Sequence, residues 1–124
     1  MERKEVLVDT SSIVFGFMNK GNVFQALREE LPGYTQVISR GVLRELKRLA
    51  ESRKKERASA AAALAYISGA QVEVDGSTAY VDSWIARRAE VGGGTVCTND
   101  IKLKRGLRAR GTATLSMTKG GIVR

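Results

Sequence analysis

The sequence contains no histidine and only one cysteine and one proline among its 124 residues. Without histidine, the Ser-His-Asp and Cys-His mechanisms and all His-ligated metal sites are excluded. The lone thiol, Cys97, excludes an intramolecular disulfide and a zinc site built from thiolates. A chain with so little cysteine is expected in the cytoplasm.

Long apolar runs are also missing. The longest near the N-terminus, Ile13–Met18, is far shorter than the roughly 20 residues of a membrane span, and no signal-peptide pattern precedes it. Acidic residues are outnumbered: the chain has 13 Asp and Glu and 21 Lys and Arg, which gives a net charge of +8. Such a charge favours a phosphate-rich partner first and an anionic membrane second, with a generally basic surface as the plain alternative. We expect a nucleic-acid partner and no association with a membrane.

The length and a hydrophobic content of 43% predict a single domain over residues 1–124. Five segments have the composition of strands: Glu5–Val8, Thr35–Ile38, Gln71–Val74, Thr95–Cys97 and Thr112–Leu115. Helical patterns separate them, around Val23–Leu31, Val42–Leu49, the alanine-rich run ending at Ser68, Ala79–Ala89 and Ile101–Arg110. This alternation predicts an α/β fold with three layers, α/β/α, around a mainly parallel five-stranded sheet.

Two acids follow predicted strands directly. Asp9 comes after the first strand, and Asp100 closes the loop after the fourth. In open parallel sheets, sites form beyond the carboxyl ends of the strands, where the strand order reverses. Two further acids, Glu45 and Asp82, fall in the opening turns of helices and in register with their apolar stripes. Because both helices follow a strand, all four acids are expected at one edge of the sheet.

Four close carboxylates repel one another unless a cation is present. With neither histidine nor a thiolate cluster, the ligands would all be oxygen, which selects Mg²⁺ or Mn²⁺. Carboxylate-held ions of this kind promote phosphodiester hydrolysis. Apart from the four acids, the chain has 21 cations against nine acids. The pattern therefore predicts a metal-dependent nuclease that attracts a polyanion to an acidic centre.

Each acid also has a structural explanation. Asp100 would cap the basic helix that follows it, and Asp9 would cap a helix beginning at residues 10–12. Glu45 would pair with a neighbouring arginine on the helix surface, and Asp82 would interact with a helix dipole. These explanations do not account for four acids at the same edge.

Four segments together resemble the PIN-domain ribonucleases: VLVDTSS, VLRELKRL, VDSWIARRA and VCTNDIKLKRGLRARG. The resemblance covers nearly the whole chain in the right order. The pattern TND-x-x-L-x-x-x-L-x-x-x-G looks like archaeal members of the rRNA-processing branch, although many of these carry Asn where this chain has Ser11. The toxin nucleases of toxin–antitoxin pairs are the nearest alternative.

The resemblance implies that Asp9, Glu45, Asp82 and Asp100 bind the metal. It implies supporting roles for Ser11, Thr98 and Asn99, and places the first and fourth strands side by side. The implied partner is RNA, including pre-rRNA or a ribosomal subunit precursor, and family analogy allows a homodimer. A toxin-type enzyme would instead have an antitoxin partner. Cations near the acids are candidate phosphate contacts: Arg44, Arg48, Arg87, Arg88, Lys102, Lys104 and Arg105.

Three other predictions remain open at this stage. Trp84 is interpreted as a core or partner contact, with base stacking as the alternative. The C-terminal TKGGIVR segment is interpreted as a mobile or disordered basic tail. Besides a non-catalytic RNA-binding scaffold, a phospho-acceptor receiver domain is a rival function, with Asp75 as acceptor and Lys119 as its lysine.

Overall fold

A six-stranded sheet forms the centre of the computed structural model, which describes residues 4–92 and 94–124. Its strands are β1 (Glu5–Val8), β2 (Thr35–Ser39), β3 (Glu73–Asp75), β4 (Thr95–Cys97), β5 (Thr114–Thr118) and β6 (Gly121–Val123). Its helices are α1 (Thr10–Met18), α2 (Val23–Glu30), α3 (Arg40–Ala50), α4 (Arg57–Ser68), α5 (Val81–Gly92) and α6 (Ile101–Ala109). In the described residues, no helix is long and apolar enough to cross a membrane.

The strand order is β3-β2-β1-β4-β5-β6, and every pairing except the last is parallel. From β1 the chain builds outward to β2 and β3, and it then crosses back so that β4 lies on the other side of β1. The order therefore reverses between β1 and β4, where Val8 is in register with Cys97. The predicted adjacency of the first and fourth strands is confirmed.

Helices cover both faces of the sheet, as the three-layer prediction requires. Helices α1, α2, α3 and α4 contact one another, while α5 contacts β4 and α6 contacts β5. Right-handed crossovers in opposite directions from β1 place these two groups on opposite faces. The buried core comprises the central strands, whose Leu7, Val37 and Val96 side chains have no exposed surface.

The sheet has six strands and not the predicted five, and β3 and β5 each begin two residues later than predicted. Two elements were not predicted as such. Helix α1 follows β1 without a loop, and only the capping explanation of Asp9 had included it. Its apolar run lacks the polar positions of an amphipathic helix, so no 3.6-residue period reveals it. The C-terminal segment, interpreted as a tail, is instead ordered as β6 and pairs antiparallel with β5, with Met117 opposite Ile122.

The strand order also rules against a receiver domain. The receiver-type order is 2-1-3-4-5, which puts the third strand beside the first. Here β3 lies at the sheet edge and β2 separates it from β1. The carboxylate of Asp75 is already bonded to the Ser77 backbone N–H (2.9 Å) and to the Trp84 indole N–H (3.1 Å).

Candidate active site

Asp9 lies at the point where the strand order reverses. Its backbone N–H donates to the Cys97 carbonyl at 2.9 Å, which fixes the end of β1 against β4. Two hydroxyls donate to the same carboxylate oxygen, Oδ2: Ser11 at 2.6 Å and Thr98 at 2.7 Å. The other oxygen, Oδ1, accepts no hydrogen bond from the described residues and is not fully buried. One oxygen of Asp9 is thus held by the protein, and the other is free to bind a ligand.

The charge of Asp9 is poorly compensated. Burial raises the pKa of this carboxyl above the ordinary 3.8, the two hydroxyl donors lower it, and the negative charges of Asp82 and Asp100 raise it further. No lysine or arginine forms an ion pair with Asp9 in the part of the chain that the structure describes. The site accumulates negative charge that a bound cation would neutralise.

The loop Thr98-Asn99-Asp100 is built around the same two hydroxyls. The Asn99 N–H donates to Ser11 Oγ at 3.0 Å, and the Asp100 N–H donates to Thr98 Oγ1 at 3.1 Å. The Asn99 side chain points away from the acids, donating to the Met117 carbonyl at 2.8 Å and accepting from the Met117 N–H at 2.9 Å. Asn99 therefore anchors the loop to β5 and orients Asp100 only through the backbone.

Asp100 caps helix α6. Its carboxylate accepts a hydrogen bond from the Leu103 N–H at 3.1 Å, so the capping explanation is confirmed. Capping uses Oδ1 and does not exclude a metal at the other oxygen. The same side chain lines a cleft of about 380 Å³ between α5 and α6, named here the acid cleft. Its lining comprises Asp82, Asp100, Lys102, Leu103, Leu107 and Arg110, with the small residues Ser83, Ala86 and Gly106.

Asp82 occupies the first turn of α5, as predicted, but its side chain is exposed and not part of the apolar face. The buried face of helix α5 is formed by Val81, Trp84 and Ile85. Asp82 lies at the border of this face, and its side chain lines the acid cleft. The prediction that it points inward is wrong. Its position near Asp9 and Asp100 nevertheless agrees with a shared site, since both charges act on Asp9.

Glu45 lies half-buried on α3, in a second cleft of about 360 Å³. Its charge is not among those that shift the pKa of Asp9. The expected surface pair with Arg44 or Arg48 is absent in the described residues. Val81 lines the same cleft, so Glu45 faces the start of α5, where Asp82 is the next residue. The structure thus brings Asp82 and Asp100 within electrostatic range of Asp9 and leaves Glu45 outside that range.

A residue that the sequence prediction missed holds these two helix starts together. Gly41, in the first turn of α3, donates its N–H to the Ser77 carbonyl at 3.2 Å. A Cβ atom at this position would lie 2.7 Å from the Ala79 carbonyl oxygen. Only glycine therefore permits this approach between α3 and the segment that leads into α5. Glycine in the first turn of a helix, where a side chain is usual, was the available signal.

Arg88 is corrected from a candidate phosphate contact to a structural residue. Its guanidinium donates to Glu5 at 2.7 and 3.1 Å and to Glu73 at 3.4 Å, and it forms a close ion pair with Asp75. Hydrogen bonding to Glu5 is the main reason that the pKa of Arg88 is raised. This guanidinium joins α5 to β1 and β3, and it is not available to a polyanion.

The remaining cations differ in how they face the site. Lys102 and Arg110 line the acid cleft, although Arg110 was not predicted. Lys104 acts electrostatically on the buried Cys97, beside Asp9. Arg87 lies on the far side of α5, in a cleft with Trp84 and Val91, and Arg105 is exposed outside the acid cleft. Of the predicted phosphate contacts, which all lie in the described residues, only Lys102 therefore lines the acid cleft.

Two side chains are excluded from the chemistry. Trp84 is 5% exposed and donates its indole N–H to Asp75, so its interpretation as a core contact is confirmed. Burial raises the pKa of Cys97 to about 12, so its thiol stays protonated and is a poor nucleophile.

The donor atoms around Asp9 suit a hard divalent cation, because they are all oxygens. Residues 4–92 and 94–124 contain no group of three or more acids already close enough to hold one ion together. Mg²⁺ tolerates such spacing, since it is usually bound through one or two carboxylates and keeps several waters. Asp9 Oδ1 with Asp100 or Asp82 would form such a set.

The Thr98 hydroxyl should affect metal affinity strongly, because it orients the Asp9 carboxylate, a proposed metal ligand. Thr98→Ala removes the hydrogen bond to Asp9 and leaves the Asp100 N–H without an acceptor. We expect an about 10–100-fold weaker response to Mg²⁺, the usual cost of losing a group that orients a metal ligand. A titration of Mg²⁺ binding measures this, and Thr98→Ser should restore most of the loss because it keeps the hydroxyl. Equal behaviour of the Ala and Ser variants would contradict this role.

Comparisons with known proteins agree with this geometry. A family model described as a PIN-like domain matches residues 6–119. The solved structure of the PIN domain endonuclease Utp24 is similar, with a TM-score of 0.74 and 26% identity over 95% of this chain and 88% of that one. A domain of a functionally unknown protein from Methanocaldococcus jannaschii DSM 2661 has a TM-score of 0.65 at 18% identity, over 93% of this chain and 91% of that one, a likeness of fold alone. No curated protein sequence matches.

Proposed function

Because this chain belongs to the PIN-like domain family, we propose that it is a metal-dependent endoribonuclease that hydrolyses RNA phosphodiester bonds. Its fold is that of the PIN nucleases, as the likeness to the endonuclease Utp24 indicates. The observation that carries the proposal is Asp9 at the reversal of strand order: a buried carboxyl with no ion pair in the described residues, whose pKa is raised by burial first and then by the charges of Asp82 and Asp100. A stable protein retains such repulsion where a cation is to be bound.

Asp9, Asp82 and Asp100 would hold Mg²⁺ or Mn²⁺, and Glu45 would contribute from the margin. A bound divalent ion supplies Lewis acidity and lowers the pKa of water, so no protein nucleophile is required. Ser11 and Thr98 keep the Asp9 carboxylate in one orientation through their hydroxyl protons. Asp100 is held by its position at the N-terminus of α6.

Positively charged side chains would position the phosphates of the substrate. Lys102 and Arg110 line the acid cleft together with Asp82 and Asp100, so phosphate-binding and metal-binding groups face the same space. Such contacts position a polyanion without reading its sequence. The TND motif and its resemblance to the rRNA-processing branch support precursors of ribosomal RNA as the substrate class.

Cleavage of an end-labelled single-stranded RNA tests the proposal. Wild type and Asp9→Asn are compared with Mn²⁺, with Mg²⁺ and with EDTA. We expect cutting with either metal, none with EDTA and none from the variant. RNA binding without metal-dependent cutting would contradict the assignment and leave a binding scaffold. Cutting by both proteins would indicate a contaminating nuclease.

The cations of the acid cleft predict how RNA binding depends on ionic strength. Lys102→Ala and Arg110→Ala should each weaken RNA binding for all sequences and lower the slope of log K against log salt by about one unit. Arg105→Ala should have a smaller effect, because its side chain lies outside the cleft. Fluorescence anisotropy over a salt series measures the slopes, with Arg53→Ala as a control. An unchanged slope for Lys102→Ala and Arg110→Ala would remove the cleft from the RNA path.

A further inference from the structure

A strongly exposed aromatic side chain lies beside Glu45. Tyr80 is 87% exposed, although three of the molecule's other aromatic residues, Phe24, Trp84 and Tyr66, contact the core or one another. It lines the cleft of about 360 Å³ formed by α3 and the segment before α5, named here the Tyr80 cleft. This cleft extends to Val81, and the next residue, Asp82, lines the acid cleft.

Two guanidinium groups lie in the same cleft. Arg44 and Arg48 are four residues apart on α3, which places them on one side of the helix with about 5–6 Å between their Cβ atoms. Both are exposed, and neither forms an ion pair within the described part of the chain. An exposed ring flanked by two free cations matches the components of a single-stranded nucleic-acid site, a stacking surface and phosphate contacts.

We propose that the Tyr80 cleft binds an unpaired nucleotide next to the cleaved bond, with its base stacked on Tyr80 and its phosphates held by Arg44 and Arg48. The inference rests on the proposed function and makes it more specific. It requires a base that is free to leave its neighbours, so the preferred substrate is a single-stranded segment and not a duplex. Stacking accepts every base, which predicts little sequence preference at this position.

The backbone of the cleft supports a fixed position for the ring. Tyr80 is joined to α5 because its carbonyl accepts the Trp84 N–H at 3.0 Å, which forms the first turn of that helix. One residue earlier, the Ala79 carbonyl approaches Gly41 closely. Tyr80 therefore stands on a braced segment, and less conformational freedom is lost when a base binds.

Binding in EDTA tests the proposal without cleavage. The probes are a fluorescently labelled single-stranded RNA, the same RNA with abasic sites, and its duplex. Wild type should prefer the intact single strand to the abasic one by about 5- to 150-fold, the usual range for stacking one base on an aromatic ring. Tyr80→Ala should lose this preference and Tyr80→Trp should keep it. Val91→Ala, at an equally exposed apolar position (85%), is the matched control and should change nothing.

Arg44→Ala should weaken binding of the intact and abasic strands equally, because it removes a phosphate contact. In Tyr80→Trp, RNA should quench more indole emission than in wild type, whose single tryptophan is buried. An unchanged preference in Tyr80→Ala, or no preference in wild type, would overturn the inference. Abasic discrimination without metal-dependent cutting would instead overturn the nuclease assignment and leave the nucleotide site in place.

Discussion

Asp9→Asn and Asp100→Asn should each reduce RNA cleavage by at least about 100-fold, because each removes a carboxylate from the proposed metal site, where a bound divalent ion would contribute several kcal/mol to catalysis. Both variants should keep the fold. Asparagine at position 100 is as good an N-cap as aspartate, so α6 retains its first hydrogen bond. At position 9, the amide oxygen still accepts from Ser11 and Thr98. Single-turnover cleavage at saturating RNA separates this loss from weaker binding.

Thermal unfolding gives the control for that result. The pKa of Asp9 is raised in the folded chain, so ionisation of this carboxyl opposes folding at any pH above its ordinary 3.8. In EDTA at pH 7, Asp9→Asn should therefore melt at a higher temperature than wild type. The difference should shrink as the pH falls, because the wild-type carboxyl becomes protonated. A variant that melts lower at pH 7 would show that its lost activity reflects a damaged fold.

Gly41→Ala should have the second-largest effect, although residue 41 has no side chain and is not among the proposed metal ligands. The new Cβ would lie 2.7 Å from the Ala79 carbonyl oxygen, a backbone atom that must move. We expect a loss of about 1–3 kcal/mol in the free energy of unfolding, typical of overpacking. The segment that moves carries Asp82, and a misplacement of about 1 Å can lower the rate about 100-fold.

A glycine in open space provides the comparison. Gly69 ends α4, and a Cβ there would meet no atom within 4 Å. Gly69→Ala should leave both the unfolding free energy and cleavage close to wild type. If Gly41→Ala behaves in the same way, the contact between α3 and the segment before α5 does not position the site.

Much of the fold was predictable because its signals are local. Buried β1 is a continuous apolar run, and Asn22, Ser39 and Asp100 cap helices with their side chains. Helix α1 and strand β6 were missed by the sequence prediction, each for a different reason. The helix is too uniformly apolar to show a period, and the strand is only three residues long and half-exposed. Its stability comes from pairing with β5, which no local pattern contains.

The acids were predicted from strand ends and helix starts, and these rules placed Asp82 and Asp100 where their charges act on Asp9. Side-chain direction was less predictable. Asp82 missed the buried stripe of α5 by one position, and Arg88 was mistaken for a phosphate contact because Glu5 is 83 residues away in the chain. Tyr80 gave no signal in a single sequence, since exposure is a property of the assembled structure. For Gly41 the only signal was its place in the first turn of a helix, and the close approach that requires it forms only in the assembled structure.

The pairing of β1 with β4 has a consequence for the order in which the molecule is made. Asp9 hydrogen-bonds to Thr98, 89 residues later, and its neighbour Asp100 follows beyond. Contacts between residues so distant in sequence form late in folding. During synthesis, the first aspartate therefore leaves the ribosome long before its partners. Until the segment with Thr98 and Asp100 pairs with β1, the Asp9 carboxylate lacks one of its two hydroxyl donors, so this edge of the sheet is completed only when two segments far apart in the chain meet.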